Sequence, residues 1–386
     1  MPEMQTSDLS KQITEQEGVL NSKLDNPDFE EKEFLSILEE LLSSIPEFQM
    51  DGTPKPLSGG LMNYVWRIQG KPGTSPNSLV AKWALPFVAS SPDVQLDPNR
   101  IFIEAKAMTV FSPGGEMASI ATDSVRLPAL YAVDHRHHMI LMEDVCQCPD
   151  LETWLRDLDD FTEGQSLGRL LGDFIGKVHR ISAHIPGLKE EFNNSKIQRT
   201  RLHVLYGNTL NYARRASLSD AEFLSKRAID FGKRLQLPGK TLIMGDLWPR
   251  SIIVSDNNLR IIDWELAHYG RPAQDIGHFA AHLWMLAHRA KTPVLSQGIL
   301  SILKAFLGAY KKSLGSDYEL IFGSEGIDES SIHFGCEIFA RTVGIFQAGY
   351  VYDGFSVDDP TIIEAVNVAA AHIRSPLNST IFSALV

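Results

Sequence analysis

The chain has 386 residues, 44% of them hydrophobic and 22% charged, with a formal net charge of −12. That length is enough for two lobes with sizeable cores, and that composition is ordinary for a soluble globular protein. The acidic balance excludes a broad nucleic-acid surface, which needs clustered Lys and Arg. It would suit a cationic substrate and equally confers solubility.

The cysteines are Cys146, Cys148 and Cys336. They are too few to imply a disulfide framework, and the Cys146/Cys148 pair lacks a second pair to complete a tetrahedral zinc site. All three are read as reduced structural residues. Met1 to Leu20 is polar and acidic, without the basic and then apolar run of a signal sequence. No uncharged apolar stretch is long enough to span a bilayer. The expectation is a cytoplasmic chain with no membrane or nucleic-acid partner, and its oligomeric state is not encoded in any visible pattern.

In chain order, residues 1–27 are rich in Ser, Gln and Glu and read as a flexible arm. Asn26-Pro27-Asp28 then opens a helix with Phe34, Leu35, Leu38, Leu41, Leu42 and Ile45 at helical spacing, ended by Pro46. From Pro56 to Leu85 the pattern turns to strands. Tyr64–Ile68 and Ser78–Lys82 are β-branched and aromatic runs around the loop Gly70-Lys71-Pro72-Gly73. Pro98–Phe111 reads as a helix with Glu104 in its middle, and Leu127–Leu130 and Met139–Met142 as two more strands. These elements make residues 28–143 a β-rich amino lobe.

Residues 144–386 are mostly helical, with helical patterns over about 151–182, 196–235, 273–291, 295–312 and 330–350. One β-ribbon interrupts them, Leu242–Met244 paired with Ile252–Val254, followed by Arg260–Ile262. The fold class is therefore α+β and bilobal: a small β-rich lobe ahead of a larger helical lobe with a ribbon at its mouth.

The chemistry concentrates in Gly245-Asp246-Leu247-Trp248-Pro249-Arg250-Ser251 and in Ile261-Ile262-Asp263-Trp264-Glu265. A lone Gly-Asp would be read as a turn cap. Two acids delivered by apolar strands at this spacing suit phosphoryl transfer. There one carboxylate accepts or orients the attacking hydroxyl proton, and the other holds Mg²⁺ on the phosphates. Asp246 takes the first role, as base or orienter, and Arg250 in the same loop is placed with it in the catalytic set. Ser251, Asp263 and Glu265 supply the oxygen ligands that Mg²⁺ prefers.

Upstream, Val80-Ala81-Lys82 puts a lysine at the end of an apolar strand, ahead of the helix that carries Glu104. A Lys–Glu pair of this kind orients the lysine onto the α- and β-phosphates of ATP. Gly59 and Gly60, followed by Asn63, precede the strand pair, where glycines let backbone N–H groups approach phosphates. At the lobe boundary the backbone of Glu143 to Val145 is the natural hinge for an adenine ring, with Met142 as an apolar wall.

Together these residues resemble the aminoglycoside phosphotransferase and methylthioribose kinase superfamily, whose loop reads H-G-D-x-x-x-x-N and whose metal motif reads I-D-x-E. Gly245, Asp246, Asp263 and Glu265 match those motifs, with Met244 in place of the His. Tyr269–Gly277 matches the next segment, in which Asp275 would brace the catalytic loop. Ser251 agrees with the methylthioribose kinase subgroup, as do Asn63–Ile68, Lys82–Val88 and Glu104–Ala107. The subgroup's R-R-I-V-G helix holds a sugar. Ala340-Arg341-Thr342-Val343-Gly344 is similar with one arginine, which assigns Arg341 to the acceptor, along with Trp248. From spacing alone Arg341 would instead pair with a carboxylate such as Glu337.

The resemblance runs from about Leu57 to Ala371 and implies a protein-kinase-like fold. It further implies ATP and Mg²⁺ as cofactors and a soluble small-molecule alcohol or sugar as acceptor. The alternative is a weak or inactive pseudokinase that binds a nucleotide or a partner, a reading that Met244 and Ser251 favour and that Lys82, Asp246 and Asp263 oppose.

Overall fold

A computed structural model of the chain describes residues 27–57, 62–89, 91–158, 161–378 and 380–386. Residues 1–26 of the expected arm lie outside them, as do Gly59 and Gly60. Two compact units form. One holds the described residues through Thr109 together with Pro128–Val145, and the other holds Val110–Leu127 and Cys146–Val386.

In the first unit the strands are β1 (Lys55–Pro56), β2 (Tyr64–Gln69), β3 (Ser78–Trp83), a ribbon of β4 (Phe87–Val88) with β5 (Ser91–Gln95), and, beyond the excursion that carries β6 (Val125–Arg126), β7 (Leu130–Asp134) and β8 (Met139–Glu143). The main sheet has the order β1-β2-β3-β8-β7, with every neighbouring pair antiparallel. The helix Pro27–Leu42 supplies Phe34, Ile37, Leu38, Leu41 and Leu42 to one core with Ile68, Leu79, Ala81, Trp83 and Leu141 of the sheet. Phe34 stacks on Trp66 with ring centroids 3.7 Å apart. Helical spacing on one partner and period-two alternation on the other thus meet in a single hydrophobic layer.

A single cut at residue 143 does not describe the division. Val110–Leu127 joins the helical unit because β6 runs parallel to β11 (Asn258–Ile261). The ring of Phe111 also packs 5.7 Å from Phe174 and 5.2 Å from Trp264.

The helical unit is organised by a close pair of helices, Phe161–Ser182 and Pro293–Leu314. Gly164, Gly168, Gly172 and Gly176 recur every fourth residue and line one face of the first. A Cβ on Gly172 would collide with the carbonyl oxygen of Phe306, so a side chain there would force the backbones apart. By length and composition Pro293–Ile321 could also cross a membrane. In the fold its Ile302, Phe306 and Tyr310 are buried against that glycine face.

Three expectations need correction. β9 (Thr241–Ile243) pairs with β12 (His268–Gly270), while β10 (Ile252–Ser255) pairs with β11. Gly245, at φ +81°, turns the chain away from β9 before β10 begins. The helical pattern 196–235 is broken into Ser195–Arg201, Thr209–Arg215 and Ala221–Arg234, and 330–350 becomes Gly323–Thr342. Beyond Thr342 the chain folds back, with Phe346 N–H donating to Ala340 O at 3.0 Å. Finally, Cys146 and Cys148 are joined as a disulfide, their Cα atoms 5.3 Å apart and within bridging range, while Cys336 is free and buried.

Candidate active site

β9 is buried along its whole length and delivers Met244, Gly245 and Asp246 into a loop. A Cβ on Gly245 would strike the carbonyl of Leu266, and its positive φ also favours glycine. Asp275, in the first turn of the helix Ala273–His288, accepts the N–H of Met244 on Oδ2 and that of Gly245 on Oδ1, both at 2.8 Å. Met244 stands where the superfamily carries His and is a fully buried core side chain.

Asp246 receives its contacts on one oxygen. Arg201 Nη2 donates to Oδ1 at 2.8 Å, and His278 Nε2 lies 3.3 Å from the same atom. Another N–H of Arg201 donates to the carbonyl of Gly245. Burial raises the Asp246 pKa to about 6, with Arg201 pulling against it and Glu337 and Asp263 adding to it. A carboxylate poised there, with Oδ2 left for a proton, suits general-base chemistry near neutral pH.

The second acidic strand end lies on the β10–β11 ribbon. Ser251 O accepts the N–H of Ile262 at 2.9 Å, which sets the start of one strand beside the end of the other. Asp263 follows with left-handed backbone, φ 64° and ψ 54°, a conformation that Asp tolerates better than most residues and that clusters at functional sites. Glu265 is buried, and Asn194 Nδ2 secures the turn by donating to Glu265 O at 2.9 Å. Ser251 Oγ is fully buried and has no hydrogen-bond partner among the described residues. A hydroxyl and two carboxylates make a hard oxygen donor set, and an orphaned buried hydroxyl gains a partner when a cation binds. The residues therefore fit Mg²⁺.

In the amino unit, Lys82 Nζ and Glu104 Oε2 form a fully buried ion pair at 2.7 Å. Asn63 is buried and accepts from Arg100 Nη2 at 2.7 Å. Met142 is buried at the end of β8. The N–H of Glu143 donates to Ala129 O at 2.8 Å, so that amide serves the sheet. Asp144 is pinned by Arg67 Nε at 2.6 Å and Ser78 Oγ at 2.7 Å, which fixes the segment leading to Val145.

The remaining predicted residues gather around an aromatic cluster. The guanidiniums of Arg250 and Arg341 lie 5.5 and 5.3 Å from the Trp248 ring, and 5.1 and 5.0 Å from that of Tyr350. Arg250 also donates to Glu152 at 2.7 Å, and Arg341 to Glu337 Oε1 at 2.8 Å. Arg341 is therefore in a carboxylate pair and against the aromatic cluster at once. Burial opposes the ionisation of Glu337, but the Arg341 guanidinium beside it outweighs that and holds the carboxyl well below the usual range.

Sequence reasoning passed over Arg201, His278, His282 and His333. His278 with His282, and His333 with Glu337, are polar pairs at i,i+4 flanked mostly by apolar residues, a visible signal. Arg201 carries no such mark.

Comparison with known proteins finds relatives among small-molecule kinases. A 4-hydroxytryptamine kinase of Psilocybe cyanescens is 24% identical over 286 residues, which cover 71% of this chain and 78% of that protein. A methylthioribose kinase of Bacillus pumilus (strain SAFR-032) is 25% identical over 332 residues, 76% of this chain and 79% of its own. Among solved structures, the amicoumacin kinase hAmiN in complex with AMP-PNP, Ca²⁺ and Ami shares the fold at a TM-score of 0.56 and 12% identity, covering 94% of this chain and 99% of that one. The sequence profile of the phosphotransferase enzyme family matches residues 53–311, and the chain belongs to that family.

Proposed function

We propose that the chain transfers the γ-phosphoryl group of ATP to a hydroxyl of a small molecule, with Asp246 as base or orienter of that hydroxyl. The observation that carries the reading is the placement of Asp246. Its loop is fixed by Asp275, one oxygen is engaged by Arg201, and burial raises its pKa to about 6. A structural turn-capping aspartate needs none of these.

In this reading Lys82, oriented by Glu104, holds the α- and β-phosphates, and the backbone of residues 143–145 with Met142 receives the adenine. Ser251, Asp263 and Glu265 hold Mg²⁺, which when bound neutralises charge on the phosphates. Asp246 accepts the proton of the attacking hydroxyl through Oδ2. Arg250, tied to Glu152, stiffens the loop between Asp246 and Ser251. Trp248 and Arg341 form the flat, cationic wall on which the acceptor rests.

The relatives named above act on 4-hydroxytryptamine and methylthioribose, which makes a phenolic and a sugar hydroxyl the first acceptors to try. ADP release with Mg²⁺ and ATP, measured over a panel of phenols, sugars and aminoglycosides, should reveal at least one acceptor that is recovered phosphorylated. Saturable Mg²⁺-ATP binding with no ADP release over the whole panel would make the chain a nucleotide-binding module instead.

A further inference from the structure

Four polar side chains face one another inside the helical unit: His278 and His282 from Ala273–His288, and His333 and Glu337 from Gly323–Thr342. All are buried, none more than 2% exposed. His278 Nδ1 lies 3.2 Å from His333 Nε2 and 3.6 Å from Glu337 Oε2. The other nitrogen of the same ring, Nε2, lies 3.3 Å from Asp246 Oδ1 without the alignment of a hydrogen bond.

A neutral imidazole has one N–H and one lone pair. With its proton on Nε2, His278 directs that N–H toward Asp246 Oδ1 and leaves the Nδ1 lone pair facing His333 Nε2 and Glu337 Oε2. A cation seated on that lone pair keeps the ring proton on Nε2, directed at Asp246.

We propose that His278 Nδ1, His333 Nε2 and Glu337 Oε2 bind a divalent transition metal of the Zn²⁺ class. Ligand atoms 2.0–2.2 Å from a tetrahedral ion stand roughly 3.3–3.6 Å apart, close to the 3.2 and 3.6 Å found here, and one ligand atom from each of the three residues lies within 4.8 Å of the others. Two imidazoles and one carboxylate select Zn²⁺ over the harder Mg²⁺. The surrounding contacts fit the same assignment. Tyr206 OH lies 2.6 Å from His333 Nδ1, the position of the outer partner that orients a metal-bound imidazole. Arg341 donates to Glu337 Oε1 at 2.8 Å and His282 Nε2 lies 3.3 Å from it, so Oε2 is the oxygen left for the ion. His278 would then join the ion to Asp246 as a positioning residue, its Nε2 proton directed at that carboxylate. The fourth vertex goes to water.

The test uses the full chain without ATP or acceptor, so its failure leaves the phosphotransfer reading standing. The chain is loaded with Zn²⁺, freed of loose ions by gel filtration and measured by elemental mass spectrometry. Co²⁺ then replaces Zn²⁺ for spectroscopy. The expected result is one retained ion per chain, with the intense visible absorption of four-coordinate Co²⁺ and two hyperfine-shifted imidazole N–H resonances. His333→Gln should lose the ion, and Tyr206→Phe should weaken its retention about 10–100-fold. A folded wild-type chain that retains no ion after loading overturns the site, and so does a folded His333→Gln chain that retains as much as wild type. If His333→Gln does not fold, the resonance count in the wild-type Co²⁺ protein decides, and fewer than two histidine ligands refutes the proposal.

Discussion

Asp275 holds Gly245 in place: its Oδ1 accepts the Gly245 N–H at 2.8 Å while its Oδ2 accepts that of Met244 at the same distance. One buried carboxylate thus fixes the turn that presents Asp246. His179 stands behind it, with Nε2 3.4 Å from Oδ2 and Nδ1 3.0 Å from Tyr310 OH. Asp275→Asn keeps the shape but turns an NH₂ toward one of the two backbone donors. A buried donor left without an acceptor costs about 1–3 kcal/mol. Both the melting temperature and kcat should fall. An unchanged melting temperature together with unchanged turnover would show that the turn does not depend on this carboxylate.

Asp246 should set the acid limb of the pH profile. The proton-accepting form is the carboxylate, so kcat/KM should fall as the pH drops through about 6, the value to which burial raises this group. The same shift acts on stability with the opposite sense. It stabilises the folded chain fully below the unfolded carboxylate pKa of about 3.9, and that contribution is lost as the pH rises through about 6. Asp246→Asn and Asp246→Ala should lose ~10²–10⁴-fold in kcat and still bind ATP, and Asp246→Asn should lack this pH dependence of the melting temperature. Wild-type turnover in either variant removes Asp246 from the mechanism.

Lys82 and Glu104 are both buried and 2.7 Å apart, so removing one takes a close counter-charge from the other. Lys82→Met should destabilise the amino unit by about 3–5 kcal/mol and weaken ATP binding. Lys82→Met/Glu104→Gln should recover much of the stability without recovering ATP affinity. Calorimetric titration with ATP beside thermal denaturation separates the two effects. If the double variant binds ATP as wild type does, Lys82 is a structural ion only.

The sequence showed the strand and helix content because both periods were clean: Phe34, Leu38 and Leu41 on one helix face, and Val80 to Lys82 on a buried strand. Pairing was less legible. A two-residue strand such as β6 has no period to read, so the excursion of Val110–Leu127 into the helical unit left no trace. The β9 partner was misread because a strand's pattern marks its faces and not its neighbour, and the decisive feature was one glycine at positive φ. At the site, Asp246, Ser251 and Asp263 were visible because they share one short stretch of chain. Arg201 and His278 reach Asp246 from separate helices, and only tertiary packing brings them there.

Arg341 is where the pairing and acceptor readings can be separated. Its Nε donates to Glu337 Oε1 at 2.8 Å, and its guanidinium lies 5.3 Å from the Trp248 ring and 5.2 Å from that of Phe346. Arg341→Ala therefore does two things together. It strips a buried, ionised Glu337 of its cation, which costs about 3–5 kcal/mol, and it removes a flat cation from beside Trp248. The second variant, Arg341→Ala/Glu337→Gln, leaves no stranded carboxylate and should recover most of the lost stability. Compared with Glu337→Gln alone, it isolates what the guanidinium does apart from the pair. Taking a cation–π interaction out of an acceptor wall costs about 0.5–2 kcal/mol, or a rise of roughly 2–30-fold in the acceptor's KM. That rise should appear in the double variant with the KM of ATP unchanged. If the double variant matches Glu337→Gln in every kinetic constant and differs only in melting temperature, Arg341 is a structural ion pair and the acceptor rests elsewhere.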